Sequence, residues 1–353
     1  MKPVRVLTVD DSPTMRALVA ATLQCDPDIR VVGEAADPFE ARDAIKRLDP
    51  DVITLDIEMP RMNGLKFLEK LMRLRPTRTI IVSSLTEKGA AATIRALETG
   101  AFDCVAKPSI KDPDSFRTLA AMVKAAAAAS IRQLVARPAD VSLDAQRPPD
   151  QFRPDGRIVA MGSSTGGVEA LLAILSKFPE NCPPTVITQH MPELFTSSFA
   201  KRLDRLCKPH VREATEGAPI APGHVYIAPG GGAHLEIMKR DGYRCRLRQA
   251  PSVNGHRPSI DVLFRSVAQA AGPRAVGVIL TGMGNDGADG MLAMRQAGAD
   301  TIGQDEASSL IYGMPRAAHE AGAVRRQVPL HGIAESILNS TNVASARARL
   351  ACP

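Results

Sequence analysis

Short apolar runs alternate with amphipathic stretches through both halves of the chain, and residues 125–154 between them break the pattern. In the first half VRVLTVDD, IRVVGEA, DVITLDIEMP, RTIIVSSL and FDCVAKPS read as strands that end in polar or turn residues. Helical periodicity separates them, over Thr14–Leu23, Pro38–Leu48, Gly64–Arg75, Lys88–Thr99 and Ser115–Lys124. Strands that alternate with helices in this way form a parallel sheet covered on both faces. An alanine-rich run then extends the last helix, and the segment RPADVSLDAQRPPDQFRPDG has few large apolar residues, as an exposed connector does. From Arg157 the alternation resumes: RIVAMGSSTGG, PTVITQH, HVYIAPG, AVGVILTGMG and DTIGQDE read as strands running into turns. Helices are expected over Val168–Lys177, Ser197–Cys207, Ile260–Gln269, Gly290–Ala297 and Pro315–Ala321. LEIMKRDGYRCRLRQ holds two alternating runs around Asp241-Gly242, a hairpin signal. The fold class is therefore α/β: two doubly wound parallel-sheet domains, residues 1–124 and 155–349, joined by a linker over 125–154, with an antiparallel hairpin added to the second.

Composition narrows the function. The 353 residues are 44% hydrophobic and 23% charged, enough for two cores without disulfide or metal staples. With no Trp, 3 Tyr and 9 Phe, the chain lacks stacking platforms for single-stranded nucleic acid. The six cysteines include no CxxC pair, which argues for reduced thiols rather than a zinc ribbon or a redox dithiol. The N-terminus has no secretory apolar region and no stretch reaches membrane-spanning length, so a cytoplasmic location without membrane insertion is expected. The net charge of +6 permits acidic partners without implying nucleic acid.

In a doubly wound sheet, ligands bind beyond the carboxyl ends of the strands. Those ends in the first domain carry Asp10 and Asp11, Asp56, Ser83 and Ser84, and Lys107-Pro108. Clustered carboxylates repel unless a cation sits among them, and oxygen ligands suit Mg²⁺, which Asp10, Asp11 and Asp56 would hold. Asp56 could act as a nucleophile in phosphoryl transfer, with Ser83 and Lys107 holding the phosphoryl oxygens. Each residue alone also reads as a solvated turn residue; their recurrence at successive strand ends favours a site. These features resemble the response-regulator receiver family, over residues 4–124. The resemblance implies a flavodoxin-like domain, Asp56 as phosphoacceptor and a sensor histidine kinase as phosphodonor. One departure is Cys104, where many receivers carry an aromatic switch residue three positions before the lysine.

In the second domain Gly162-Ser163-Ser164-Thr165-Gly166 fits G-x-S-x-G between an apolar strand and an amphipathic helix, the context of a nucleophile elbow. Ser164 is the central serine, and the helix start favours a developing oxyanion. The base it needs is best supplied by His190, which ends the next strand; His224 enters its strand at the opposite end. Asp286, in TGMGNDG after another strand, could hold the imidazole in the tautomer that accepts the serine proton. Asp289 is its rival but falls within the following helix, facing away. The competing readings are a phosphate-cradling loop without G-x-G-x-x-G spacing, a structural buried histidine and a plain Asx turn.

MGSSTGGVEAL, TQHMP, GHVYIAPGG, RPSIDVLF, LTGMGNDGADGM and IYGMPRAA, in this order, closely resemble the chemotaxis protein-glutamate methylesterase (CheB) family over residues 157–340. The resemblance implies a Rossmann-like catalytic domain with Ser164 as nucleophile, His190 as general base and acid, and Asp286 as its orienter. It further implies that Thr165 supports the histidine, that the backbone at Met283 contributes to the oxyanion hole, and that His256 and Arg257 touch substrate. The expected activity is phosphorylation-activated hydrolysis of γ-glutamyl methyl esters on methyl-accepting chemotaxis receptors, with deamidation of receptor glutamines as a further family activity and no cofactor for the ester chemistry. In this family the unphosphorylated receiver covers the active-site cleft. The alternatives are a receiver-regulated hydrolase of a small ester or amide, a receiver-linked DNA-binding regulator, which would need a basic recognition helix, and a catalytically dead scaffold.

Overall fold

The computed structural model describes residues 2–59, 63–84, 86–109, 115–131 and 152–343. These fall into two compact units, residues 1–139 and 140–353. Of the expected linker, residues 132–151 lie outside the described residues, as do residues 344–349 of the second domain and Pro60 of the turn after Asp56.

The first unit holds β1 (Val4–Val9), α1 (Pro13–Gln24), β2 (Ile29–Ala35), α2 (Pro38–Leu48), β3 (Val52–Asp56), α3 (Gly64–Leu74), β4 (Arg78–Ser83), α4 (Glu87–Glu98), β5 (Asp103–Ala106) and α5 (Leu119–Ala128). All pairings are parallel, in the order β2-β1-β3-β4-β5. Leu7, Ile53, Leu55, Ile80 and Ile81 are fully buried, as strands covered on both faces require. Side chains start the first four helices: Ser12, Asp37, Asn63 and Thr86 accept N–H bonds from the first turns of α1, α2, α3 and α4. The alanine run carries α5 to Ala128, and Ala126 and Ala129 are buried.

The second unit contains β6 (Ile158–Ser163), α6 (Gly167–Leu175), β7 (Thr185–Gln189), α7 (Phe195–Leu206), β8 (His210–Glu213), β9 (His224–Ile227), β10 (His234–Lys239), β11 (Tyr243–Arg248), α8 (Ile260–Ala271), β12 (Ala275–Ile279), α9 (Ala288–Gln296), β13 (Asp300–Gln304), α10 (Met314–Glu320), β14 (Arg326–Val328) and α11 (Leu330–Thr341). The seven-stranded parallel sheet runs β14-β13-β12-β6-β7-β9-β8, and β10-β11 is a separate antiparallel pair. The hairpin closes through Asp241 and Gly242, both at positive φ (48° and 97°). It buries Leu235, Ile237 and Cys245 in one core with Leu263, Phe264 and Val267 of α8 and Met291 and Met294 of α9.

Three elements go beyond the sequence expectation. β8 and β14 are the two edges of the sheet. Their sequences, HVRE and RQV, are short and charged. Edge strands are kept this way because a long apolar edge invites aggregation, and the same property hides them from an apolar-run criterion. α11 buries Ile333, Ala334, Ile337 and Leu338 beyond the last helix expected.

The chain turns in opposite directions along the sheet from β6, toward β7 on one side and β12 on the other, which makes the β6/β12 boundary a topological switch point. Helices that start there lack side-chain caps: α6 and α9 follow Gly166 and Gly287 in left-handed conformation, and Ser259 makes no capping bond to α8. Close packing holds β6 against α8. A Cβ on Gly162 would lie 2.3 Å from Cγ2 of buried Ile260, the first residue of α8. Gly162→Ala is expected to lose about 1–3 kcal/mol of stability by overpacking. Combined with Ile260→Ala, it should cost clearly less than the sum of the two single changes. Urea unfolding of the four proteins checks this, and additive losses would contradict the contact.

Candidate active site

In the first unit Asp10, Asp11 and Asp56 each offer a carboxylate oxygen within 4.8 Å of the others; Asp10 and Asp56 are buried and Asp11 is exposed. Lys107, after β5, places Nζ 2.8 Å from both Asp10 Oδ2 and Asp56 Oδ2. Burial pushes the Asp56 carboxyl above its ordinary range, and the Lys107 bond offsets only part of this. Burial alone would lower the ammonium of Lys107, but the two carboxylates raise it above its ordinary value. The ammonium pairs with two of the three clustered carboxylates, and such an all-oxygen donor set fits a hard divalent cation like Mg²⁺. Ser83 is buried at the end of β4, its carbonyl accepting the Lys107 N–H at 2.8 Å. Ser84 Oγ donates to Glu58 Oε2 beside it. Cys104 is half-buried on β5.

In the second unit Ser164 and His190 follow paired strands, since β6 and β7 are in register at Ser163↔Gln189. The His190 N–H donates to Ser163 O at 3.0 Å. Gln189 Nε2 donates to the carbonyls of Ser164 (2.9 Å) and His190 (3.0 Å), while its Oε1 accepts from Ser163 Oγ at 2.6 Å. This buried carboxamide ties the two strand ends together. Ser164 N–H bonds Thr281 O at 3.0 Å across to the loop after β12. Gly282 approaches so closely that a Cβ there would lie 2.7 Å from Ser164 Cβ, so the position excludes any side chain.

Asp286 lies in that loop, 1% exposed, with Oδ2 2.8 Å from His190 Nε2. Oδ2 also accepts the Ile260 N–H at 2.7 Å. Oδ1 accepts from Ser259 Oγ (2.8 Å), Asn254 Nδ2 (3.0 Å) and the Asp261 N–H (3.3 Å). Asp286 thus occupies the N-terminus of α8, where free N–H groups and the helix dipole favour an anion. Burial by itself would raise this carboxyl. The bond and charge of His190, the Ile260 N–H and the Ser259 hydroxyl outweigh it and hold the group well below the ordinary range. An ionised carboxylate only accepts, so in neutral His190 the proton sits on Nε2 and the lone pair on Nδ1. Nδ1 is buried and has no hydrogen-bond partner.

The structure brings His190 and Asp286 together and sets Ser164 at the adjoining strand end. Thr165 is buried next to Ser164, its carbonyl accepting from Thr281 Oγ1 at 2.9 Å. Met283 is half-buried in the β12 loop. His256 is stacked on His190, with ring centroids 3.7 Å apart and planes 7° from parallel. The Arg257 guanidinium bonds the carbonyls of Gly231 (2.9 Å) and Ala250 (3.3 Å). Asp289 is exposed on α9 and pairs with Arg265 at 3.4 Å, while His224 begins β9. None of the described cysteines forms a disulfide, and burial holds the thiols of Cys182, Cys207 and Cys245 at about 12, outside the nucleophilic range.

Sequence reasoning missed Gln189, Asn254, Ser259 and Asp261. Asn254-Gly255 carried a usable signal, an Asn-Gly turn dipeptide. Ser259 before an amphipathic helix signals a cap, yet its hydroxyl serves Asp286 instead of its own helix.

Comparison with known proteins shows the family. A family model for the CheB methylesterase matches residues 159–337, and one for the response regulator receiver domain matches residues 6–120. The chain is 60% identical over 349 residues to a Caulobacter vibrioides protein named protein-glutamate methylesterase/protein-glutamine glutaminase 1, covering 98% of this chain and 100% of that one. It is 59% identical over 338 residues to the protein-glutamate methylesterase/protein-glutamine glutaminase of Agrobacterium fabrum, covering 96% of each. The solved CheB methylesterase catalytic domain of Thermotoga maritima is 37% identical, covers 52% of this chain and 97% of that domain, and superposes with a TM-score of 0.51. The chain belongs to the CheB family, with a receiver domain followed by a methylesterase domain. The DNA-binding and small-ester readings find no support in these matches.

The stacked pair has a consequence for stability. Burial, then the neighbouring His190, lowers His256 to about 4 from 6.5. Between those values the unfolded chain binds a proton that the folded chain refuses, so stability falls as pH drops through the window. The loss from this residue is of order 2–3 kcal/mol. His256→Phe keeps a flat ring but cannot be protonated, and should flatten the slope of the urea midpoint between pH 6.5 and 4. Equal slopes for parent and variant would contradict the account.

Proposed function

We propose that this chain removes methyl esters from receptor glutamates and that phosphorylation of Asp56 controls it. The observation that carries the reading is the 2.8 Å bond between Asp286 and His190 at the strand end beside Ser164. Ser164 Oγ attacks the γ-carbonyl carbon of the ester while His190 Nδ1 takes its proton. The imidazolium so formed is stabilised by Asp286 through Nε2–H. The tetrahedral oxyanion is held by backbone N–H groups at the start of α6 and at Met283, with Thr165 supporting the histidine. As the C–O bond breaks, the imidazolium protonates the departing methoxide and methanol leaves. Water then attacks the acyl-enzyme with Nδ1 as base, and Ser164 departs from a free glutamate side chain. With a glutamine substrate the same steps release ammonia, which matches the double name of the relatives.

Asp56 accepts a phosphoryl group from the phosphohistidine of a sensor kinase: an oxygen of Asp56 bonds phosphorus as the N–P bond breaks. Asp10, Asp11 and Asp56 would hold Mg²⁺, whose charge would offset that of the phosphoryl oxygens. Lys107 and Ser83 are the protein's own groups for those oxygens. The division into domains 1–124 and 155–349 with a linker over 125–154 is part of this reading. No helix among the described residues is long and apolar enough to cross a membrane. We place the work in the cytoplasm, on the receptors' cytoplasmic segments, with no nucleic acid involved.

The test is methanol release from methyl-labelled receptor membranes, with and without a small-molecule phosphodonor and Mg²⁺. Ser164→Ala should lower release at least about 10³-fold. Asp56→Asn should abolish the response to phosphodonor and retain basal release. Undiminished release from Ser164→Ala, or stimulation that survives Asp56→Asn, would overturn the corresponding half of the proposal.

A further inference from the structure

Asn254 and His256 belong to one tight turn that touches both members of the His190–Asp286 pair. Val253 and His256 exchange both backbone bonds, at 3.0 and 2.9 Å, around Asn254 (φ 52°) and Gly255 (φ 79°). A two-residue turn with both central residues left-handed is stiff, and Asn-Gly is the dipeptide it favours. From one side of the turn, Asn254 Nδ2 bonds Asp286 Oδ1 at 3.0 Å and Asp261 Oδ2 at 2.8 Å. From the other, His256 lies flat on the His190 ring at 3.7 Å.

We propose that this turn is a positioning clamp for the base: Asn254 fixes the carboxylate and His256 fixes the plane of the imidazole. The inference rests on the methylesterase reading. His190 has one hydrogen-bonded ring nitrogen, and its Nδ1 has no partner. A single bond leaves the ring free to rock about the axis through Nε2, and a stacked parallel ring removes that freedom. Asn254 does the same for Asp286 and separates it from a second buried carboxylate, Asp261, which burial and the charge of Asp286 push up. A neutral donor bridging the two lets both stay buried without direct repulsion. The charged and titratable groups around the stacked rings are Asp286, Asp261 and Arg265, whose NH2 is 3.8 Å from Asp261 Oδ2. The guanidinium of the adjacent Arg257 is tied to Gly231 and Ala250. His256 is therefore a positioning residue acting through His190, where the family resemblance implied substrate contact.

The experiment uses the full chain with phosphodonor and Mg²⁺. It measures kcat and KM for methanol release from methylated receptor membranes and the rate of fluorophosphonate labelling of Ser164. His256→Leu should lower kcat and the labelling rate about 10- to 100-fold with KM within twofold, as loss of alignment at a reacting centre does. His256→Phe, which restores a flat ring without a titrating nitrogen, should recover most of both. Asn254→Gly keeps the left-handed backbone and removes the donor; it should lower kcat similarly with KM unchanged. Urea midpoints confirm that each variant is folded at assay temperature. Equal losses in His256→Leu and His256→Phe, or a raised KM with normal kcat and labelling, would overturn the clamp. If Ser164 in the parent resists the fluorophosphonate and Ser164→Ala still releases methanol, the underlying hydrolase reading fails, a result distinct from variants that match an active parent.

Discussion

The candidate active site depends on one buried carboxylate kept ionised. Asp286 is inaccessible to water, and burial alone would favour its neutral form. Its charge is held by donors that belong to the fold: two N–H groups at the start of α8, the hydroxyl of Ser259 and the amide of Asn254. The helix gives up its own side-chain cap so that its free N–H groups can meet this anion. With the carboxylate fixed as an acceptor, the tautomer of neutral His190 follows, and it leaves the lone pair on Nδ1, the atom proposed as the base.

The same candidate site follows from the sheet. β6 and β12 are neighbours from which the chain leaves in opposite directions, opening a crevice at their carboxyl ends. Ser164 and the Asp286 loop leave from these strands, and His190 from β7 beside them. The receiver sheet, in the order β2-β1-β3-β4-β5, has its own switch point between β1 and β3, from whose ends Asp10 and Asp56 project. Each unit puts its carboxylate chemistry where its topology opens a gap. The environments then diverge: Asp56 is raised, sharing one ammonium with Asp10, and Asp286 is lowered by several short bonds. The first arrangement suits the modification proposed for Asp56, the second the charged role proposed for Asp286.

Much of this was legible in the sequence, for physical reasons. Buried parallel strands such as IVAM and AVGVIL are uniformly apolar, and the residues after them are the ones a doubly wound sheet gathers. That logic was enough to find Ser164, His190, Asp286, Asp56 and Lys107 as candidates. The charged edge strands β8 and β14 were hidden because the criterion was apolarity. Asn254 was hidden because its role depends on a turn folding back onto a loop 32 residues away. His256 was noticed only as a residue preceding RPSIDVLF; the fold adds that its ring lies on His190.

The most direct test of the account is the tautomer of His190. In the full-length protein with ¹⁵N-labelled histidine, the imidazole nitrogens of His190 can be assigned by comparison with His190→Gln at a pH where the ring is neutral. The account predicts a directly bonded proton on Nε2, shifted downfield by its bond to Asp286, and a bare lone pair on Nδ1. A proton on Nδ1 in the neutral ring would contradict it, because Nδ1 would then have no lone pair with which to take the serine proton.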